Sequence, residues 1–380
     1  MEKFYDSYEE SFSDYSDYSE SHKADEKNSK WIRLKVNELC VEPLDENSPL
    51  YGDVSAFASG VSEDAITDTA LNLGLALRVY GEAYPIRETA YKTLLDRAKI
   101  NGTVLPKLSR KVLSEVLNEC LQMSNSDALV LIRNEKVSAI HSGDETDYSV
   151  LPTAELLESL KDHLDNRFPN SKFVSGYRAH SVSSAIWEMP EQKDDLIGSY
   201  KALLDSLGKA SVVKRLVPGI KFTTSDTGVS AAKVSAYLIG GQYPIRIGDC
   251  VAVDHRHKSS VKDFSVALDS LFAMFSDNIE KLKKLLDIKL DYPINTMTRI
   301  CKKLSMPKKA AIDAIKMLEM AIGENPATAH DVFMAMQEIP YNLKITEKVS
   351  ESKLLVLEEN MARVLNLNWR EFDLAKGVDY

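Results

Sequence analysis

The sequence has few of the signals that usually disclose an activity. Its four cysteines, Cys40, Cys120, Cys250 and Cys301, are scattered. With no C-x-x-C pair and no zinc-ligand spacing, they argue against a disulfide scaffold or a structural zinc site. Cys120 and Cys250 lie inside apolar patterns and read as core thiols, in keeping with a reducing cytosol. No apolar run approaches the roughly 20 residues that cross a bilayer; Ala128–Ile132 is typical. The start, Met1-Glu2-Lys3-Phe4-Tyr5-Asp6, lacks the basic-then-apolar layout of a secretory signal, so a cytoplasmic protein is expected. The motifs G-x-G-x-x-G, G-x-x-x-x-G-K-[ST] and H-E-x-x-H are absent, and no cofactor is expected. No fixed-period repeat runs through the chain.

What is present is ordinary globular composition with an uneven charge. Hydrophobic residues make up 44% and charged residues 27% of 380 positions, enough for one large domain with appendages or for two domains. The net charge of −10 conceals two opposed regions. Met1–Ser29 holds nine acids against Lys3, Lys23 and Lys27, whereas Lys201–Met320 holds 20 basic and 12 acidic residues. Overall acidity argues against a protein coated with nucleic acid, and the local basic stretch keeps that partner open.

The pattern reads as α+β: antiparallel strands with a packed long helix, a helical C-terminal region and a disordered acidic tail. The tail, residues 1–30, intersperses Tyr5, Tyr8, Tyr15 and Tyr18 among Ser, Asp and Glu. Such a segment has too little apolar surface to offset its ordering entropy. It reads as a solubilising tail, a linear motif, or an acidic decoy competing with nucleic acid for a basic surface. An α+β core is expected over residues 31–290 and helices over 291–380. Helical spacing marks Ala65–Val79, Glu88–Ala98 and Arg110–Leu121, the last two separated by Asn101-Gly102. That order is compatible with a DNA-reading helix-turn-helix and, more simply, with a small helical subdomain packed on a sheet. Ala128–Arg133 and Val137–His141 read as a hairpin, and Thr153–Asp165 and Leu196–Leu207 as helices. Phe173–Gly176 and His180–Trp187 are further strands. Gly219–Thr224, Ala231–Ile239 and Tyr243–Val253 form three consecutive strands, closed by one long helix over Val261–Ile288.

The segments Glu88–Asn118, Ser138–Leu160 and Ile247–Ser260, with the helices around Ala327–Asn342, resemble in their order the phage/plasmid-like family called domain of unknown function 932. The resemblance spans roughly residues 85–374. Cys250 stands where that family has a cysteine before a polar loop, with Val251-Ala252 replacing the usual Asn-Gly; the acidic tail lies outside the pattern. The resemblance implies residence on a mobile element, most often a bacteriophage in a bacterial cell. It implies no established activity and carries over no catalytic residue.

Candidate chemistry is weighed against plainer roles. His255 and His257 have the two-residue spacing that puts both on one face of a strand, as in metal sites, with His180 or Asp249 as further ligands. A polar strand-to-helix loop explains them as well. His141-Ser142-Gly143-Asp144-Glu145 holds the residue types of a hydrolytic triad, although neighbours in sequence rarely face one another as a triad requires. Ser206 and Lys209 match S-x-x-K without its partner motifs. Gly240-Gly241 reads as a tight turn. The basic features are stronger. Lys214, Arg215, Lys221, Lys233, Arg246, Arg256, Lys258 and Lys262 lie along the strand–strand–strand–helix unit, with Tyr237 and Tyr243 as stacking surfaces. A sheet backed by a helix, with lysines and aromatics on its open side, can hold single strands. At the level of fold alone, that order is similar to phage single-strand annealing recombinases of the Rad type. Lys302-Lys303 and Lys308-Lys309 read as a solvated helix face complementing the dipole. The expected function is therefore non-catalytic binding of single-stranded DNA by a possible homo-oligomer. The alternative is an interaction protein that engages a host protein, for instance of a defence system, through its acidic tail or an assembled surface.

Overall fold

A computed structural model describes residues 2–209, 216–240, 244–323, 327–346 and 349–380. The acidic N-terminal segment is ordered, contrary to its composition. Strand β1 (Glu9–Phe12) is followed by helix α1 (Tyr15–Lys27), whose N-cap Asp14 accepts hydrogen bonds from the amides of Ser16 and Asp17. Tyr8 and Tyr18 are buried. Gly176 leaves the space that the Tyr18 ring fills, since a Cβ there would lie 2.6 Å from that ring. Disorder was expected from the segment's own apolar content; its order comes from cations and gaps supplied elsewhere in the chain.

Residues 30–142 form a lobe of two small sheets. Strand β2 (Lys30–Lys35) pairs with β6 (Asp127–Arg133), which pairs with β7 (Lys136–Ser142). The expected hairpin is there, turned at Asn134 and Glu135, both at positive φ. Strands β3 (Cys40–Pro43), β4 (Leu75–Val79) and β5 (Glu82–Pro85) form the second sheet. The segment expected as one helix over Ala65–Val79 is instead helix α2 (Glu63–Leu71), a turn at Gly74 with φ +67°, and β4. Leu73, Leu75 and Leu77 satisfy a strand's period of two, which the helical spacing obscured. Helices α3 (Ala90–Ala98) and α4 (Arg110–Gln122) share this lobe's hydrophobic core through Leu94, Leu113 and Leu117.

The larger lobe is a six-stranded antiparallel sheet in the order β1, β8 (Lys172–Ala179), β9 (Ser183–Glu188), β10 (Val217–Thr224), β11 (Ala232–Ile239), β12 (Ile245–Val253). Ile220, Phe222, Val234, Ala236 and Ile247 alternate onto one face. They join a core with helices α5 (Thr153–Arg167), α6 (Lys193–Ser206), α7 (Val261–Leu268) and α8 (Leu271–Lys284). The long helix expected over Val261–Ile288 is broken at Asp269-Ser270 into α7 and α8. A bulge in β12 opens the strand around Gly248, at φ +55°. Asn278 from α8 fills it, accepting from the Asp249 amide at 3.1 Å and donating to the carbonyls of Ile247 and Asp249.

A two-residue strand pair, β13 (Lys289–Leu290) with β14 (Ala327–Thr328), introduces the C-terminal helices. These are α9 (Pro293–Lys303), α10 (Lys308–Ile322), α11 (Ala329–Met336), α12 (Glu338–Thr346) and α13 (Glu351–Val364). Met297, Phe333, Leu357 and Trp369 belong to the same hydrophobic cluster as the sheet, so this region shares the large lobe's core. Cys301 is buried and Cys40 exposed; Cys120 and Cys250, expected in the core, are half-buried. Among the described residues no helix is long and apolar enough to cross a membrane.

Candidate functional site

The face of the main sheet expected to hold nucleic acid is covered. Lys221, Lys233 and Tyr237 alternate away from the core as expected, but α13 lies on that face. Lys221 Nζ sits 3.2 Å from Glu358 Oε2, and Tyr237 Oη donates to the same oxygen at 2.7 Å. Lys233 pairs with Glu359. Lys221, Lys233, Tyr237 and Arg246 are all at least 94% buried. None of the four can meet a phosphate or a base in this fold. Lys214, Arg215 and Tyr243 lie outside the described residues. Arg256, Lys258 and Lys262 are exposed, on the loop after β12 and the first turn of α7.

Two of those three lie at or beside the largest cavity among those described, a cleft of about 730 Å³ between the lobes. The volume is in the range of ligand sites, roughly 300–1,000 Å³. One wall comes from α3, where Lys92 and Asp96, and Thr93 and Arg97, stand one helical turn apart, and from the end of β7 with its loop through Tyr148. The other comes from the β10–β11 turn and the loop Asp254–His257. Two clusters over 100 positions apart in sequence, His141-Ser142 and His255-Arg256-His257, thus line one space.

Backbone hydrogen bonds stitch the walls together. The Ser149 amide donates to His255 O at 2.9 Å, the His257 amide to Thr146 O at 2.9 Å, and the Lys258 amide to Glu145 O at 3.0 Å. They hold His257 and Lys258 at φ 58° and 60°, a mirror-image turn without glycine. Such a conformation costs on the order of 1–3 kcal/mol per residue and persists only where its surroundings impose it.

Beneath the loops the rings form a ladder. His141 stacks on Tyr148 with centroids 3.5 Å apart and planes 4° from parallel, and Tyr148 on His255 at 5.7 Å and 13°. His141 Nε2 lies 2.7 Å from the Asp226 carbonyl, which also accepts from Tyr148 Oη at 3.1 Å. Because a carbonyl only accepts, His141 carries its proton on Nε2. By the same reasoning His255 donates from Nδ1 to Ser149 O, and its Nε2 accepts from Thr224 Oγ1. Burial pulls His141 down to about 4 and lowers His255, so both are neutral at pH 7. Burial also raises Tyr148. The ladder is a brace between lobes.

The arrangement does not favour the chemistry suggested by sequence. His255 points inward with both nitrogens engaged, while His257 is exposed in the turn, so the pair does not share a face. His180 is half-buried with its Nε2 2.8 Å from the Tyr5 carbonyl, its pKa pulled down by burial, and Asp249 pairs with Lys281. Among the described residues no group of three His, Cys, Asp or Glu is placed to hold a metal ion. Ser142 donates to Asp147 at 3.2 Å rather than to His141. Ser206 donates to the Leu203 carbonyl and Lys209 pairs with Asp331. What the cleft offers instead is charge. Lys92, Arg97 and Arg256 stand among Asp96, Asp147 and Asp254, and among the described residues the three cations have no ion-pair partner. Arg97 Nε is buried without a hydrogen-bond partner. Sequence reading missed Lys92 and Arg97, whose one-turn spacing on α3 carries no signal until β7 brings α3 alongside. No family model, curated protein or solved structure matches the chain.

Proposed function

We propose that this is a non-catalytic binding protein of mobile-element DNA metabolism, and that it holds a nucleotide-like segment of single-stranded nucleic acid in the cleft between its lobes. The observation that carries the reading is the convergence of Arg97 and Arg256 from opposite walls with no carboxylate partner among the described residues. Guanidinium groups suit phosphate oxygens, and Lys92 and Lys258 extend the positive rim. The carboxylates of Asp96 and Asp254 fit the same ligand, since sugar hydroxyls and base amino groups donate. The resemblance to the phage/plasmid-like family supports the mobile-element setting. A host-protein partner recognised by a free tail has less support, because Tyr8 and Tyr18 are buried in the fold.

The test is fluorescence anisotropy with a labelled single strand across a salt series. Arg97→Glu combined with Arg256→Glu is expected to weaken binding at least tenfold and to flatten its salt dependence. Unchanged affinity in that variant removes the reading.

A further inference from the structure

We propose that the N-terminal segment occupies, in the same molecule, a second stretch of the nucleic-acid track, its carboxylates standing where phosphates would lie. This rests on the cleft reading above and extends it.

The segment lies along a row of cations contributed by both lobes. Asp6 reaches Arg87 at 3.4 Å and Lys136 at 3.1 Å, and Arg87 also donates to the carbonyls of Phe4 and Tyr5. Asp25 pairs with Arg178 and with Lys3. Arg133 continues the row, paired with Asp226 at 2.8 Å. Arg87 and Lys136 have no exposed surface while the segment is in place. Tyr18 is buried in the large lobe's core, Phe12 and Tyr15 pack against that core and β1 pairs with β8, so the carboxylates of the segment add ion pairs to an apolar and strand-paired attachment. The fit is incomplete. A polar void of about 30 Å³, room for about two waters, remains between Asp25, Arg133, Arg178 and Asp226. Ser138, which also lines it, has its Oγ buried without a partner.

The row adjoins the cleft through one residue. The Asp226 carbonyl holds His141 and Tyr148 under the cleft, while its carboxylate holds Arg133 in the row. A strand seated by Arg97 and Arg256 would therefore meet this row next, once the segment has moved aside. The ligand class is the sugar–phosphate backbone of a single strand, longer than the cleft alone accommodates.

A redox lock tests this on the full chain. Ser11 and Tyr177 are directly opposed in β1 and β8, so Ser11→Cys with Tyr177→Cys ties the segment down when oxidised. Two probes are used: a labelled dinucleotide, reporting the cleft, and a single strand of about 12 nucleotides, within the site size of one binding groove. Oxidation is expected to leave the dinucleotide affinity unchanged and to weaken the longer strand about tenfold, with recovery on reduction. Asp6→Asn with Asp25→Asn is expected to act oppositely, strengthening the longer strand while the amides of the segment lose exchange protection. A lock-insensitive longer strand, with the dinucleotide still bound, overturns this inference and leaves the cleft reading standing. Binding of neither probe removes both. If the asparagine variant fails to fold, the oxidised-versus-reduced comparison decides alone.

Discussion

Two basic regions of this molecule use the same residue types to opposite ends. On the sheet face under α13, Lys221 and Lys233 are paired with Glu358 and Glu359 and are themselves buried. At the cleft, Lys92, Arg97 and Arg256 line the cavity with no such match among the described residues. The first arrangement is architecture: a charge taken out of water must be paired where it lies. The second leaves its charges for something else to meet. Counting lysines along a strand cannot separate the two, because the separating fact is what lies on top.

The sharpest way to break the comparison is to remove a partner under α13. Glu358→Ala leaves Lys221 buried without its carboxylate and is expected to cost about 3–5 kcal/mol in urea denaturation, with ligand affinity of the folded fraction unchanged. Loss of affinity without loss of stability would assign the sheet face to binding after all. Next comes the brace. Tyr148→Ala empties the middle of the ring ladder and should cost about 3 kcal/mol, together with affinity, because the cleft walls lose their spacing. Tyr148→Phe removes only the bond to the Asp226 carbonyl, about 1 kcal/mol.

Acid should act on the brace and on the C-terminal helices. His141 in the brace, and His330 on α11 hydrogen-bonded to Tyr200, are held neutral, each down to about 4 by burial, against an unfolded value near 6.5. Between those values the unfolded chain binds the extra protons. Stability present at pH 7 is therefore lost as pH falls from about 6.5 towards 4, by up to roughly 1.4 kcal/mol per pKa unit for each group. A thermal midpoint flat over that range would contradict the buried neutral assignment. The smallest stability effect belongs to the rim, where Arg256→Glu is expected to change unfolding by no more than about 0.5 kcal/mol while still weakening the ligand.

Much of the fold was legible where a pattern is local. The strands β10, β11 and β12, the hairpin turned at Asn134, and the helices α4 and α5 follow from period and turn residues. The failures were those of context. The N-terminal segment looked unfoldable because the cations that hold Asp6 and Asp25 come from residues 87, 136 and 178. Lys302-Lys303 does end a helix, where its charge suits the dipole, but Lys308-Lys309 begins the next, where it does not. Of the site, the segments around His141 and His255 were singled out for catalytic or metal chemistry, and the structure brings them together as a brace. Arg256 and Lys258 are exposed at or beside the cleft, where a ligand can reach them. Lys221, Lys233, Tyr237 and Arg246 are buried, on a face covered by a helix more than a hundred residues later.

The asparagine plugged into β12 bears on how this chain meets other copies of itself. β12 is the last strand of the sheet, and such a strand with a regular row of free amides and carbonyls recruits strands from neighbouring molecules. Here the bulge at Gly248 interrupts the row, and Asn278 already engages the Asp249 amide and the carbonyls of residues 247 and 249. The opposite edge is β1, four residues long with two glutamates. Both ends of the main sheet are thus poor templates for growth, and edge-to-edge assembly through that sheet is disfavoured.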